Sequence, residues 1–323
     1  MIVVTGGAGF LGSAVVWKLN ELGMDDILIV DNLGCGEKWR NLVNRRYRDY
    51  IRKEEFIASV RTGKNHFGAQ AVVHMGACSA TTERDADYLF ANNTRYSIDL
   101  ARFCVDQGIR FVNASSAATY GDGALGFEDG NEGLERLRPM NMYGYSKHLF
   151  DLRARREGWL ERVASLKFFN VFGPNEYHKG DMMSVACKAH SQIKETGKVR
   201  LFRSHRPGWA DGGQMRDFVY VKDCADVVAW LLKHKEANGV FNVGSGKARS
   251  FKDLVTAVFE AVGTPPRVEY IDMPEAIRDT YQYFTEAPMA RLRKAGYEKP
   301  FTRLEDAVKD YVTGYLAAED RFL

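Results

Sequence analysis

At 323 residues, with 45% apolar and 27% charged residues and a net charge of +3, the chain has the make-up of a globular protein with room for one large or two medium cores. That charge is too small to argue for nucleic-acid binding, and no apolar run approaches the ~18 residues of a membrane span, so no nucleic-acid or membrane partner is expected. Five scattered cysteines (Cys35, Cys78, Cys104, Cys187, Cys224) and seven histidines show no C-x-x-C and no H-E-x-x-H, which argues against a disulfide framework and a zinc site, so no metal is expected. A strand-like run begins at Met1, so no signal peptide is expected and the cytoplasm is the simplest setting.

Ile2, Val3 and Val4 form a β-branched run suited to a strand buried on both faces. Gly6, Gly9 and Gly12 follow at G-x-x-G-x-x-G spacing, and Phe10, Leu11, Val15, Val16, Leu19 and Leu22 mark a helix that Gly23 stops. Such a turn lets the backbone approach a pyrophosphate while the helix N-terminus offers free N–H groups to the anion. Ile27 to Val30 form the next strand, ending at Asp31, about 20 residues past the glycines, where a carboxylate can hold a ribose hydroxyl. Three glycines alone fit any tight strand–helix turn; strand, helix, strand and acid in this order predict a nucleotide-binding unit.

After a loop from Asn32 to Gly36 comes a basic stretch, Lys38 to Lys53. Its arginines (Arg40, Arg45, Arg46, Arg48, Arg52) read as a solvated surface in preference to a nucleic-acid patch. Gln70 to His74 is the next buried strand, with Gly76-Ala77-Cys78 at its carboxyl end, where open α/β sheets bind ligands. Thr82 to Gln107 reads as one long helix with Leu89, Phe90, Leu100 and Phe103 on its core face, and Arg110 to Ala114 as a fourth strand. Strands alternating with helices predict an α/β fold with a Rossmann-type doubly wound parallel sheet.

The fourth strand runs into Ser115-Ser116-Ala117-Ala118-Thr119-Tyr120-Gly121, and a later helix carries Tyr143-Gly144-Tyr145-Ser146-Lys147. Tyr143 and Lys147 are four residues apart and share a helix face. An ammonium beside a phenol favours phenolate and is expected to lower the tyrosine pKa from about 10. A tyrosine so tuned can take and return a hydroxyl proton, with Ser116 adding a hydrogen bond. Y-x-x-x-K alone also fits a solvated helix face; its place behind the glycine turn and Ser116 makes it a catalytic candidate.

The stretches T-G-G-A-G-F-L-G, S-S-A-A-T-Y-G and Y-G-Y-S-K resemble those of the extended short-chain dehydrogenase/reductases acting on nucleotide sugars. That resemblance implies Ser116, Tyr143 and Lys147 as the catalytic trio, with Lys147 also holding the nicotinamide ribose. Met215 to Asp223 (MRDFVYVKD) matches the same class, with Arg216 on the substrate nucleotide; by itself it also fits an edge strand closed by a charged turn. Gly76 to Glu83 (GACSATTE), Phe169 to Pro174 (FNVFGP), His178-Lys179-Gly180 and Tyr281 to Thr285 (YQYFT) resemble the ADP-glycero-manno-heptose 6-epimerase family, over Met1 to about Tyr315. The resemblance implies inversion of one carbon of an ADP-heptose sugar nucleotide destined for lipopolysaccharide core, and a homo-oligomer, a pentamer in that family.

The implied substrate residues are Ser116, Asn170, Asp181, Lys188, Phe202, Arg203, Ser204, His205, Arg216 and Tyr281. Two departures bear on them: a histidine is expected where Lys188 stands, and a shorter loop in place of Arg203 to Gln214. The expected cofactor set is Gly6, Gly9, Phe10, Leu11 and Gly12; Asp31, Asn32, Lys38 and Lys53; Met75, Gly76, Ala77, Cys78 and Ser79; and Asn92, Tyr143, Lys147, Val171 and Lys179. Asp31 argues for NAD, because a carboxylate repels a 2′-phosphate. Lys38 and Lys53 could neutralise that phosphate, and the resembled family favours NADP, so NADP is expected, with NAD the alternative.

The implied mechanism is transient oxidation, with hydride returned to the other face of a ketone. A second acid/base would serve the swung oxygen, and Lys179 is the candidate, an ordinary surface lysine being the alternative. A 4,6-dehydratase would need a carboxylate pair where Ala117 and Ala118 stand, which disfavours elimination. A UDP-hexose 4-epimerase shares the trio and stays open, and a non-catalytic nucleotide sensor is a distant third. Residues 1–170 are expected to bind the dinucleotide, with segments near 217–246 returning to them, and 171–323 mainly the substrate. Helices are expected over Ser184 to Thr196, Asp223 to Lys235, Phe251 to Val262 and Thr302 to Leu316, with strand and turn over Gly239 to Gly246.

Overall fold

The structure, a computed structural model, describes residues 1–278 and 281–323. Its first half alternates strand and helix. Strand β1 (Ile2–Thr5) leads through the glycine turn into helix α1 (Phe10–Glu21), and β2 (Ile27–Asp31) is buried at every position. Next come β3 (Asp49–Arg52), α2 (Lys53–Val60) and β4 (Ala71–His74). After α3 (Ala86–Leu89), a π-helical turn (Phe90–Arg95) and α4 (Tyr96–Asp106), the chain forms β5 (Arg110–Ser116), α5 (Met142–Arg156) and β6 (Val163–Phe168).

The second half is more interrupted. It runs β7 (Asn170–Phe172), α6 (Val185–Thr196), β8 (Val199–Phe202), β9 (Met215–Tyr220), α7 (Val221–Lys233), β10 (Gly239–Val243), β11 (Ala248–Ser250) and α8 (Phe251–Val262). It closes with β12 (Val268–Ile271), α9 (Glu275–Arg278), α10 (Ala290–Lys294) and α11 (Leu304–Tyr311), the last extended by a π-helical turn to Leu316.

Seven strands form one sheet in the order β10-β6-β5-β4-β1-β2-β3, every neighbouring pair parallel. This is the doubly wound order, and the strand sequence reverses between β1 and β4, where such sheets open a crevice at their carboxyl ends. Alternate strand residues feed two cores. Val4, Ile27 and Ile29 pack with Val15, Val16 and Leu19 of α1 and Val227 of α7, while Val3, Leu28 and Val30 pack toward Phe56, Leu100, Phe103 and Phe150. Smaller sheets β11-β9-β7 and β12-β8 lie beyond. Of the segments near 217–246, Gly239–Val243 joins the large sheet, whereas Met215–Tyr220 belongs to the three-stranded one. No helix among the described residues is long and apolar enough to cross a membrane.

Three features differ from the pattern read in the sequence. The basic stretch contains β3, which pairs Leu28 with Asp49 and Val30 with Ile51. Its charged ends suit an edge strand, and that charge hid it. The helix expected from Thr82 starts at Ala86, because the Asp85 side chain accepts the Tyr88 N–H and caps it there. Phe90, expected in the core, is 44% exposed, because the π-helical turn rotates it off the face carrying Leu89 and Leu100.

Gly12 shows how tightly the first turn is built. A Cβ on it would lie 2.0 Å from the Gly6 carbonyl oxygen, so α1 can approach the turn only with glycine there. Gly12→Ala should therefore cost about 1–3 kcal/mol of stability through overpacking. Gly36→Ala, with open space around it, should change stability by less than ~0.5 kcal/mol. Urea unfolding of the two variants checks the contrast.

Candidate active site

The carboxyl ends of β1, β4, β5 and β6 meet at one cleft. Gly6, at φ +64°, turns the chain so closely under β4 that a Cβ there would come 2.6 Å from Gly76 Cα. The Asp31 carboxylate accepts the Ala8 N–H at 2.9 Å and the Asn32 N–H at 2.7 Å, and pairs with Lys38 Nζ at 2.7 Å. No side chain caps α1 and no acid stands in its first turn, so its free N–H groups are left for an anion. A glycine cradle, an uncapped helix and an acid at the end of β2 together fit a dinucleotide.

The cleft, about 510 Å³, is lined by Gly6, Gly9, Phe10, Leu11, Asp31, Lys38, Met75 to Ala80, Ala114 to Ser116, Tyr143, Lys147, Phe168, Phe169, Val171, His178, Lys179 and Met182. A second cavity of about 390 Å³ continues it past Asp31 and adds Asn32, Lys53, His74 and Asn92. Every residue expected at the cofactor therefore lines one cavity or the other, except Gly12, which packs α1 against the turn instead. Ser116 lines the first cavity too.

Ser116 ends β5, and its hydroxyl accepts the Ala118 N–H at 3.1 Å. Asn141 caps α5 by accepting the Gly144 N–H. Gly144, a residue the sequence reading passed over, lets α5 dock: a Cβ there would lie 2.7 Å from the Ala118 carbonyl oxygen. Tyr143 faces the same cleft as Ser116. The expected lowering of Tyr143 by Lys147 is not what operates here. Burial raises its pKa, the Ser116 bond opposes that, and Lys147 turns its Nζ to the Ala114 carbonyl at 2.7 Å. Burial also pulls the Lys147 amine down to about 8, with Asp151 working the other way.

Asp151, one turn past Lys147 on the same face of α5, was missed although its i+4 spacing was visible. It is buried and accepts from Ser115 Oγ at 2.6 Å and Ser165 Oγ at 2.7 Å. Lys167 of β6 lies 4.0 Å above the Tyr120 ring. Asn93 was also missed. It accepts the Cys78 N–H and donates to the Cys78 carbonyl and to Ser146 Oγ, tying the cleft floor to α5.

Lys179 faces the cleft from a short turn, its Nζ 5.0 Å from the centre of the Phe10 ring; burial lowers its pKa and Glu176 opposes the shift. The other substrate candidates lie outside both cavities, in separate groups. Lys188 Nζ donates to the Asp181 carbonyl at 2.6 Å, and Asn170 is exposed at the start of β7. Phe202 meets Tyr281 edge-on, and the Arg216 guanidinium covers Tyr281 at 5.2 Å. Beside them Arg203 pairs with Asp272, Ser204 donates its N–H to Asp211, and His205 donates its N–H to Tyr283 Oη. Gln282 joins this cluster to the serine turn by donating to the Gly121 carbonyl.

A doubly wound sheet with a glycine turn and a Ser–Tyr–Lys group at its carboxyl edge defines the extended short-chain dehydrogenase/reductase class. A family profile described as the NAD dependent epimerase/dehydratase family matches residues 2–244. A Nitratidesulfovibrio vulgaris (strain DP4) protein named ADP-L-glycero-D-manno-heptose-6-epimerase is 64% identical over the full length of both chains. The crystal structure of the Helicobacter pylori ADP-L-glycero-D-manno-heptose-6-epimerase superposes with a TM-score of 0.82 at 26% identity, covering 98% of this chain and 96% of that one. The UDP-glucose 4-epimerase of Thermus thermophilus, in complex with NAD, superposes with a TM-score of 0.76 at 26% identity, over 98% of this chain and 99% of that one. The chain belongs to the NAD dependent epimerase/dehydratase family and, within it, to the ADP-L-glycero-D-manno-heptose-6-epimerases.

The buried lysines give the site a pH signature. Burial holds Lys167 at about 8 against an ordinary 10.5, so between those values the unfolded chain binds a proton that the folded one does not. Stability from this group therefore rises with pH across that window. Measured against Lys167→Met by denaturant unfolding at graded pH, the native protein should gain stability from about pH 8 to about 10.5; a pH-independent difference would show Lys167 titrating normally.

Proposed function

We propose that this protein interconverts ADP-D-glycero- and ADP-L-glycero-D-manno-heptose by inverting C6 of the sugar, in the supply of lipopolysaccharide core. One observation carries the reading: a single cleft holds a dinucleotide cradle and two acid/base candidates, Tyr143 and Lys179, from separate segments. The names of the similar proteins point to the same substrate. Residues 1–170 with Gly239–Val243 serve the dinucleotide, and 171–323 mainly the sugar nucleotide, with Asn170, Asp181, Lys188, Phe202 to His205, Arg216 and Tyr281 on that side. A homo-oligomer, a pentamer by resemblance, and a cytoplasmic setting belong to the same reading.

A nicotinamide dinucleotide bound in the cleft supplies reversible oxidation of the sugar carbon. Tyr143 removes the hydroxyl proton as the ketone forms, and Ser116 holds the oxygen by a hydrogen bond. Lys147, freed from the Ala114 carbonyl, lies on the face of α5 that lets it hold the ribose and offset the phenolate charge. When the flat ketone has turned, its oxygen lies away from Tyr143, and the Lys179 ammonium donates its own proton there; Tyr143 then loses, and Lys179 regains, a proton by exchange with solvent. Proton transfer needs heavy atoms within about 3 Å or one bridging water, which a single base cannot satisfy on both sides. Ala117 and Ala118 leave the serine turn without the carboxylates that elimination needs.

Tyr143→Phe should cut turnover on the order of 10² to 10⁴-fold, and Lys179→Met by at least on the order of tenfold, both with the cofactor retained. Proton NMR of the reaction on a panel of nucleotide sugars identifies the epimer formed. In heavy water the inverted carbon should stay free of deuterium, because its hydrogen does not exchange with solvent. Deuterium at that carbon would replace transient oxidation by deprotonation chemistry.

The cofactor is proposed to be NADP. Asp31 already accepts two N–H groups and the Lys38 ammonium, so little of it is left to receive a ribose hydroxyl or repel a phosphate. Lys38 and Lys53 line the second cavity together, and two ammonium groups suit a 2′-phosphate. The dinucleotide released on denaturing the purified protein should be NADP, and Lys53→Ala should lower its retention relative to NAD. Release of NAD alone would reverse the assignment.

A further inference from the structure

Two residues just before Lys179 are built unlike the rest of their turn. Asn175 and Glu176 are both fully buried. Asn175 has φ +74°, the one left-handed residue other than glycine among those described. It is held there from three sides. Its Nδ2 donates to Ser13 Oγ of α1 at 2.9 Å, its carbonyl accepts from Asn41 Nδ2 at 3.0 Å, and its Oδ1 accepts the Leu323 N–H at 3.0 Å. Asn41 in turn donates to the Ala8 carbonyl in the glycine turn.

Glu176 faces the opposite way. Its carboxylate accepts the Ser184 N–H, Ser184 Oγ–H at 2.7 Å and Tyr311 Oη–H at 3.0 Å, from α6 and α11. Its carbonyl accepts the Lys179 N–H at 3.0 Å, closing the turn that presents this lysine. Burial raises the pKa of this carboxyl, and the Ser184 bonds, the Lys179 charge and the Tyr311 bond all act against the rise by favouring the carboxylate. A buried carboxylate needs a compensating cation. Lys179 is one: Glu176 is the acid whose charge acts on its amine, against the like charge of Lys188 on α6. His178 on the same turn, and Tyr177 and Cys187 near Glu176, are pushed toward their neutral forms by burial, and the uncharged Phe10 ring faces Lys179 from α1.

We propose that Glu176 is the positioning residue for Lys179: it anchors the turn between α6, α11 and the glycine-turn half, and supplies the counter-charge of the amine. The proposal rests on the reading of Lys179 as the second acid/base. It makes Glu176 more than a joint, because the same carboxylate fixes where the ammonium sits and how firmly it holds its proton.

Competitive acetylation with acetic anhydride, followed by mass spectrometry of the Lys179 peptide across pH, titrates the amine without reference to turnover. Glu176→Gln should move its midpoint down by about one pH unit or more, while Glu176→Asp, keeping the charge, should restore most of it. Glu176→Gln should also lower kcat on the order of tenfold, yet by less than about twofold in a Lys179→Met background, since residues acting as a unit lose non-additively. Ser184→Ala keeps the carboxylate and removes one donor; its smaller loss should likewise vanish with Lys179→Met, and it carries the test if Glu176→Gln does not fold. An unchanged Lys179 midpoint with fully additive losses would overturn the proposal. Normal turnover of Lys179→Met would instead overturn the role given to Lys179, leaving the midpoint shift to report on Glu176 separately.

Discussion

The site depends on backbone approaching backbone where β1 and β4 end. With Gly6 in a left-handed turn almost touching Gly76, no side chain separates the two loops. The floor of the cleft is therefore made of peptide groups and helix N–H donors, which suits a diphosphate better than any side chain could. Asp31 reinforces this from the side. By accepting the Ala8 N–H it locks the turn to the end of β2, so the carboxylate holds the cleft's own backbone in place. Gly144 repeats the device at the serine turn, where a missing Cβ lets α5 approach the Ala118 carbonyl.

Around that floor the protein buries an unusual set of charges. Lys147, Lys167 and Asp151 are all within the wall formed by α5, β5 and β6. Asp151 has two hydroxyl donors, and Lys147 has the Ala114 carbonyl. Lys167 has an aromatic face in place of a hydrogen bond, an arrangement that attracts a cation when water is excluded. Burial disfavours the charged form of each lysine, and the neighbouring acid restores part of it. Amines held near 8 can exchange protons close to working pH.

Beyond the shared core and sheet, side-chain amides tie the two halves of the molecule together. Asn41 touches the glycine turn through Ala8 and the Lys179 segment through Asn175 and His178. Gln282 carries the Tyr281–Arg216 cluster to the serine turn. The turn carrying Lys179 is thus fixed to the glycine turn through Asn41.

Much of this was legible in the chain itself. Buried strands, the glycine turn, Asp31, and Tyr143 four residues before Lys147 are local patterns, because strand and helix periodicities and turn residues act over short stretches. Those patterns alone determined the doubly wound sheet, the glycine turn at its edge and the helix carrying the tyrosine and lysine. Strand β3 escaped because edge strands tolerate charge, and Phe90 because a π-helical turn shifts the helical phase. Tertiary structure alone decided the rest. It set the Lys147 amine on a carbonyl instead of the phenol, joined Asp151 to Ser115 and Ser165, and put Lys179 against Phe10 with Glu176 behind it. The Lys147, Asp151 and Phe10 contacts join separate segments of the fold, and the shifts of Lys147 and Lys179 are set first by burial, which no local spacing records.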